Sequence, residues 1–123
     1  MVNHEKNKSQ SEILVKQIEE FVTYLSIEKN YAQNTIASYE RDLLKFLSFL
    51  INRNIADWLE IESDTVNLFV MGLRHSEMSG KSIRRYLSSI RGFFNFLINN
   101  GVMVKNPALS IQTPKIDRVL PKT

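Results

Sequence analysis

Residues Ser79 to Gly101 read SGKSIRRYLSSIRGFFNFLINNG, and this stretch decides the fold. With successive residues placed about 100° apart, Ile83, Leu87, Ile90, Phe94 and Leu97 fall within a narrow arc, which Tyr86 and Phe93 widen. Lys81, Arg84, Arg85, Ser88, Arg91 and Asn95 occupy much of the other side. Ser79 stands where an N-cap oxygen is needed, and Gly101 where a left-handed C-terminal residue belongs. The spacing predicts one long helix with a face to pack and a basic face to expose.

Three further apolar stripes lie upstream. Leu14, Ile18, Phe21, Val22 and Leu25 define a first helix, and Ser9 with Glu12 has the form of a capping box that starts it. Residues 1–11 are expected to be a disordered tail. A second helix is expected over roughly Gln33 to Asn52, burying Ile36, Tyr39, Leu43, Phe46, Leu47 and Leu50. Ile55 to Glu62 reads as a connector with Trp58 as a packed plug. A short third helix follows, capped by Ser63, with Val66, Phe69, Val70 and Leu73 as its stripe. Pro107, Pro114 and Pro121 remove amide donors, so Pro107 to Thr123 reads as an extended tail, with a short fifth helical turn allowed near Ala108 to Ile111. No strand signal of any strength appears. The expectation is an all-α domain over 12–112, four principal helices in two hairpins around one core, with 113–123 as the start of a linker.

The 123 residues suit one domain, and 43% apolar with 24% charged residues is an ordinary globular composition. There is no cysteine, which excludes disulfides and thiolate chemistry and permits an intracellular location. The polar N-terminus has no apolar run of a signal peptide, and no apolar stretch is long enough to span a bilayer. Net charge is +3, unevenly spread: residues 1–71 carry 7 Lys/Arg against 11 Asp/Glu, while residues 72–105 carry 6 against 1. The basic half is where an acidic partner is expected.

Catalytic and cofactor motifs are missing. No phosphate loop of the GxxxxGK[ST] form and no HExxH occurs. His4 and His75 stand isolated in polar segments, so no metal site is expected. Asp57, Glu60, Glu62 and Asp64 cluster at a helix start, where capping explains them better than acid–base work does. No catalytic residue and no cofactor are assigned. What remains is a binding surface: Lys81 and the Ser79 helix start suit phosphate, and Arg84, Ser88 and Arg91 lie at helical spacing to follow a strand or reach a base edge. The second helix adds Asn34, Arg41, Lys45 and Ser48, with Thr35 and Asp42 nearer its boundary. Asp42 is out of place against phosphate and is read as an anchor for an arginine or a helix end. A helix-turn-helix regulator and a helical protein-interaction module with a basic face remain alternatives.

The residues also resemble a known family. FVTYLSIEKN from Phe21 and YAQNTIASYERDL from Tyr31 resemble the opening of Xer-type tyrosine recombinases and phage integrases, with Thr35, Tyr39 and Arg41-Asp42-Leu43 matching its pattern. Ser79 to Leu97 resembles the last core-binding helix, and Asn106-Pro107-Ala108, Pro114-Lys115 and Leu120-Pro121-Lys122 the approach to the interdomain linker. The resemblance implies a SAM-like orthogonal bundle that clamps one face of double-stranded DNA, with the second and fourth helices near the major groove. The DNA-contacting positions are then Thr35, Arg41, Lys45, Lys81, Arg84, Ser88 and Arg91. It further implies a bacterial or phage-type cytoplasmic parent that cuts and rejoins DNA as a tetramer through a catalytic domain outside this chain, and a free fragment that is monomeric. Tyr39 is expected to pack or bond phosphate rather than act as nucleophile. Many relatives carry serine where this chain has Ala32, which cannot cap the second helix.

Overall fold

The computed structural model describes residues 2–112, with side chains from Ser11 onward. Four helices, α1 (Val2–Ile27), α2 (Gln33–Asn52), α3 (Ser63–His75) and α4 (Gly80–Asn99), are separated by short turns, with one 3-10 turn at Trp58–Glu60. Asn30, Asn54, Glu77 and Gly101, just beyond the four helices, all adopt positive φ, at 54°, 61°, 59° and 77°. In all four turns the amide after that residue closes back on the helix: Tyr31 to the Leu25 carbonyl (3.0 Å), Ile55 to Leu50 (2.9 Å), Met78 to Leu73 (3.1 Å) and Val102 to Leu97 (2.8 Å). These bonds satisfy carbonyls that a helix end leaves without partners and reverse the chain tightly. Among the described residues there is no strand.

The four stripes meet in one core, as the periodicity predicts. Leu14, Ile18, Phe21 and Leu25 of α1 pack with Leu43, Phe46, Leu47 and Leu50 of α2, while α3 and α4 bury every apolar position assigned to them. Ile36 and Tyr39, in the first two turns of α2, are only half-buried. Trp58 is the expected plug: 2% exposed, it sets its ring edge-to-face on Phe93 with centroids 4.9 Å apart. Its indole Nε1–H donates to Oε1 of Gln17 on α1, so the one polar atom of the plug is satisfied. Rings of Phe46, Phe69 and Phe94 continue the cluster in edge-on geometry.

Four local expectations are corrected. α1 begins at Val2 rather than near Ser9, so Ser9 and Glu12 lie inside it and the segment expected as a tail is helical from its second residue. Glu, Lys and Gln in that segment are good helix formers, and a helix seeded by the apolar stripe extends through them without needing apolar periodicity. Ser63 does not cap α3: the N-cap is Glu62, whose amide donates to the Thr65 hydroxyl at 3.4 Å. The Ser63 hydroxyl instead donates to the Pro107 carbonyl at 3.0 Å. Residues 107–112 are not extended: they form turns that fold back and bury Ala108 and Ile111. The amide missing at Pro107 is offset by Asn106, whose Oδ1 accepts from the Ala108 N–H at 3.0 Å. Ala108 to Ile111 is a turn rather than a fifth helix, and the expected linker of 113–123 lies outside the described residues.

Candidate functional site

α2 and α4 pack against each other, and three pairs of residues mark their seam. Tyr39 shares a surface groove with Ser88, Asp42 pairs with Arg85, and the Lys45 ammonium sits 5.9 Å from the Tyr86 ring centroid. All the sequence-assigned positions lie on these two helices. Thr35, Arg41 and Lys45 are exposed along α2, Lys81 and Ser88 are exposed on α4, and Arg84, also on α4, is half-exposed. Arg41 lies within 3.4 Å of the Ser38 hydroxyl, one helical turn back on the same strip. Ser79 caps α4 as expected, its Oγ accepting from the Ser82 amide at 3.1 Å.

Arg91 stands apart from the other assigned positions. Its Nε donates to the Ala108 carbonyl at 2.9 Å and its Nη2 to the carbonyl of Ile111. The Asn106 amide completes the arrangement by donating to the Arg91 carbonyl at 3.1 Å and to Asn95 Oδ1 at 2.9 Å. The residue that a helical wheel places on the basic side is therefore committed to fastening the segment after α4. Its helical position is right, but the chain folds back over it.

Arg85 is the residue that the sequence reading left off the site. Nε donates to Asp42 Oδ2 at 2.8 Å and Nη2 to Oδ1 at 2.9 Å, a two-point fork onto a carboxylate whose side chain is 1% exposed. The bond to Asp42 raises the guanidinium's pKa above its already high ordinary value. Asp42 is thus the arginine anchor expected of it, and the carboxylate among these cations faces inward. Tyr39 is half-buried with its ring edge-on to Tyr31, centroids 6.0 Å apart. Burial first, then the nearby Tyr31 and Asp42, push its phenol above the ordinary value of 10.0, which suits packing rather than attack.

The acidic cluster does cap turns. Asp57 accepts from the Leu59 amide at 3.0 Å, and Glu60 from that of Ala56 at 3.1 Å. Among the described residues no group of three or more His, Cys, Asp or Glu is placed to hold a metal. No helix among them is long and apolar enough to cross a membrane.

A four-helix all-α bundle with this seam defines a class, and comparison with known proteins supplies its family. Residues 18–101 match the family described as phage integrase, N-terminal SAM-like domain, and the chain belongs to it. It is 34% identical over 107 residues to tyrosine recombinase XerC of Herpetosiphon aurantiacus, covering 87% of this chain and 35% of that protein. It is 37% identical over 106 residues to tyrosine recombinase XerD of Listeria innocua and 38% identical over 105 to that of Oceanobacillus iheyensis. Each of these alignments covers 85% of this chain. The chain spans about a third of the length of the curated relatives it matches. No solved structure matches it.

Proposed function

We propose that the α2–α4 face binds duplex DNA and that the chain is the N-terminal half of a clamp in a tyrosine recombinase. One observation carries the reading: Arg41, Lys45, Lys81 and Arg84 lie on two helices joined along one seam, and the acid among them, Asp42, is buried under Arg85. Duplex DNA offers dense phosphate charge, and its major groove admits a helix. Lys81 at the capped start of α4 is suited to phosphate, where free amides add to the ammonium. Thr35, Arg84 and Ser88 are the candidates for reaching base edges. In the parent protein, strand cleavage and rejoining belong to a domain outside this chain, and four subunits assemble on DNA in the cytoplasm of a bacterial or phage-bearing cell. The fragment supplies placement, not turnover.

The test is binding of the 123-residue chain to a duplex over a range of salt. Weak binding that fades steeply with salt supports the reading. Binding indifferent to a severalfold rise in salt overturns it. A helix-turn-helix regulator would bind as a dimer, so a tight dimer in sedimentation without DNA favours that alternative.

A further inference from the structure

We infer that Arg85 is a preset phosphate donor on the α2–α4 face and that Asp42, although an acid, strengthens DNA binding by holding Arg85 in place. The inference rests on the DNA reading above and adds two residues to it. A guanidinium has five N–H donors. Asp42 engages one on Nε and one on Nη2, and no further hydrogen bond of Arg85 occurs among the described residues. Three donors, two on Nη1 and one on Nη2, remain on a side chain that is 39% exposed.

The group is also immobilised. The fork onto Asp42 fixes the plane of the guanidinium, and its carbon lies 5.4 Å from the Tyr86 ring centroid, which supports it on a second side. Placed at about 100° per residue, Arg85 falls about 40° from Lys81 on the side toward α2, while Ser88 and then Arg84 lie on the other side of Lys81. A freely rotating arginine loses rotamer entropy when it grips a phosphate, whereas one already clamped loses much less. Asp42 meanwhile is buried, so its charge is turned to Arg85 rather than to the approaching strand. Asp42 is a positioning residue in this arrangement.

Two variants of the full 123-residue chain and their double test it, each titrated with one duplex at several salt concentrations and checked for folding by circular dichroism. Asp42→Asn raises net charge by one, so a diffuse charge effect would tighten binding; the inference requires binding to weaken. Arg85→Gln keeps a donor for Asp42 and removes the cation, and is expected to lower the slope of log affinity against log salt by about 0.9, one phosphate contact. In the Arg85→Gln background the effect of Asp42→Asn should vanish or change sign, because Asp42 acts through Arg85. A residue that only braces the fold would shift the melting temperature and leave the salt slope alone. Tighter binding by Asp42→Asn, or an unchanged slope in Arg85→Gln, overturns the inference while the DNA reading stands. If Asp42→Asn does not fold, the slope of Arg85→Gln decides by itself. Absence of salt-dependent binding by the unsubstituted chain removes the DNA reading and this inference together.

Discussion

Arg91 on α4 and Ala108 beyond it are joined by an Nε–H to carbonyl bond of 2.9 Å, and that bond takes a cation off the basic face to hold down the end of the domain. The same guanidinium serves the Ile111 carbonyl, so two acceptors depend on one side chain. Hydrogen bonds from a charged donor contribute about 1.5–3 kcal/mol each, with wide variation by context. The two together set a ceiling of about 3–6 kcal/mol, and because water can replace part of them around a half-buried side chain, Arg91→Ala is expected to cost about 1.5–4 kcal/mol in denaturant unfolding. Lys81→Ala, on the exposed strip, should stay within about 0.5 kcal/mol of the parent. Equal stabilities for the two variants would count against this division of labour.

Ala32 predicts a gain. It occupies the N-cap of α2 in extended conformation, φ −63° and ψ 146°, with no side-chain oxygen to offer. The backbone already has the geometry that a serine cap uses, so Ala32→Ser should add a bond to an orphan amide of the first turn. The expected stabilisation is about 1 kcal/mol, read as a rise in denaturation midpoint at unchanged m-value.

Glu77 and Gly101 form a matched pair of positions with opposite expectations. Both hold left-handed φ at a helix end, 59° and 77°, but one carries a side chain that disfavours it. Relief of that preference makes Glu77→Gly stabilising by up to roughly 1 kcal/mol, and Gly101→Ala destabilising by a similar amount. Thermal melts of the two variants should move in opposite directions. The space around Gly101 is open, so any loss there reflects backbone conformation rather than a clash.

The contrast between those residues shows what could be read without coordinates. Ser79 and Gly101 bracket α4 because capping is local chemistry, and the stripe of Ile83 to Leu97 needs only helical spacing. Pairings between distant segments carry no such signal. Asp42 marked itself as an anchor by being an acid among cations, yet nothing local distinguished Arg85 from Arg84 as its partner, since that choice depends on the α2–α4 register. The partners of Arg91 were hidden for the same reason: its acceptors lie 17 and 20 residues on, in a proline-bearing segment whose return over α4 has no periodicity to reveal it. The early start of α1 was hidden differently, because polar helix formers extend a helix without leaving an apolar stripe.

Tyr39 supplies a pH dependence. Its phenol is held above the ordinary value, chiefly by burial and then by Tyr31 and Asp42, so the folded state keeps the proton more tightly than the unfolded chain. The resulting stability is fully present below pH 10 and is lost as pH rises through the raised value. Tyr39→Phe should flatten that part of the alkaline stability profile. An unaltered loss of stability above pH 10 in Tyr39→Phe would assign the effect to other groups.

The last prediction sets the seam against a diffuse charge effect. Lys45, Lys81 and Arg84 lie on two helices that the Asp42–Arg85 pair holds side by side, so a triple change to alanine removes three cations from one face. Lys16, Arg74 and Lys105 are likewise exposed but lie on α1, at the end of α3 and beyond α4. Removing them deletes the same charge from elsewhere. If DNA responded to net charge alone, both triples would weaken binding equally. If the seam is the footprint, the first triple should lower the slope of log affinity against log salt by up to about 2.7, three contacts at about 0.9 each. The second should change it little. Both proteins should keep their helicity and melt within several degrees of the parent, because surface substitutions of this kind usually cost under ~0.5 kcal/mol each. Single variants then divide the roles. Lys81→Ala should weaken cognate and unrelated duplexes alike, as a phosphate contact does, whereas a base-reading Arg84 would lose roughly 1–3 kcal/mol mainly on the cognate site. Equal losses from the two triples would leave only the general charge of the chain and remove the α2–α4 face as a site.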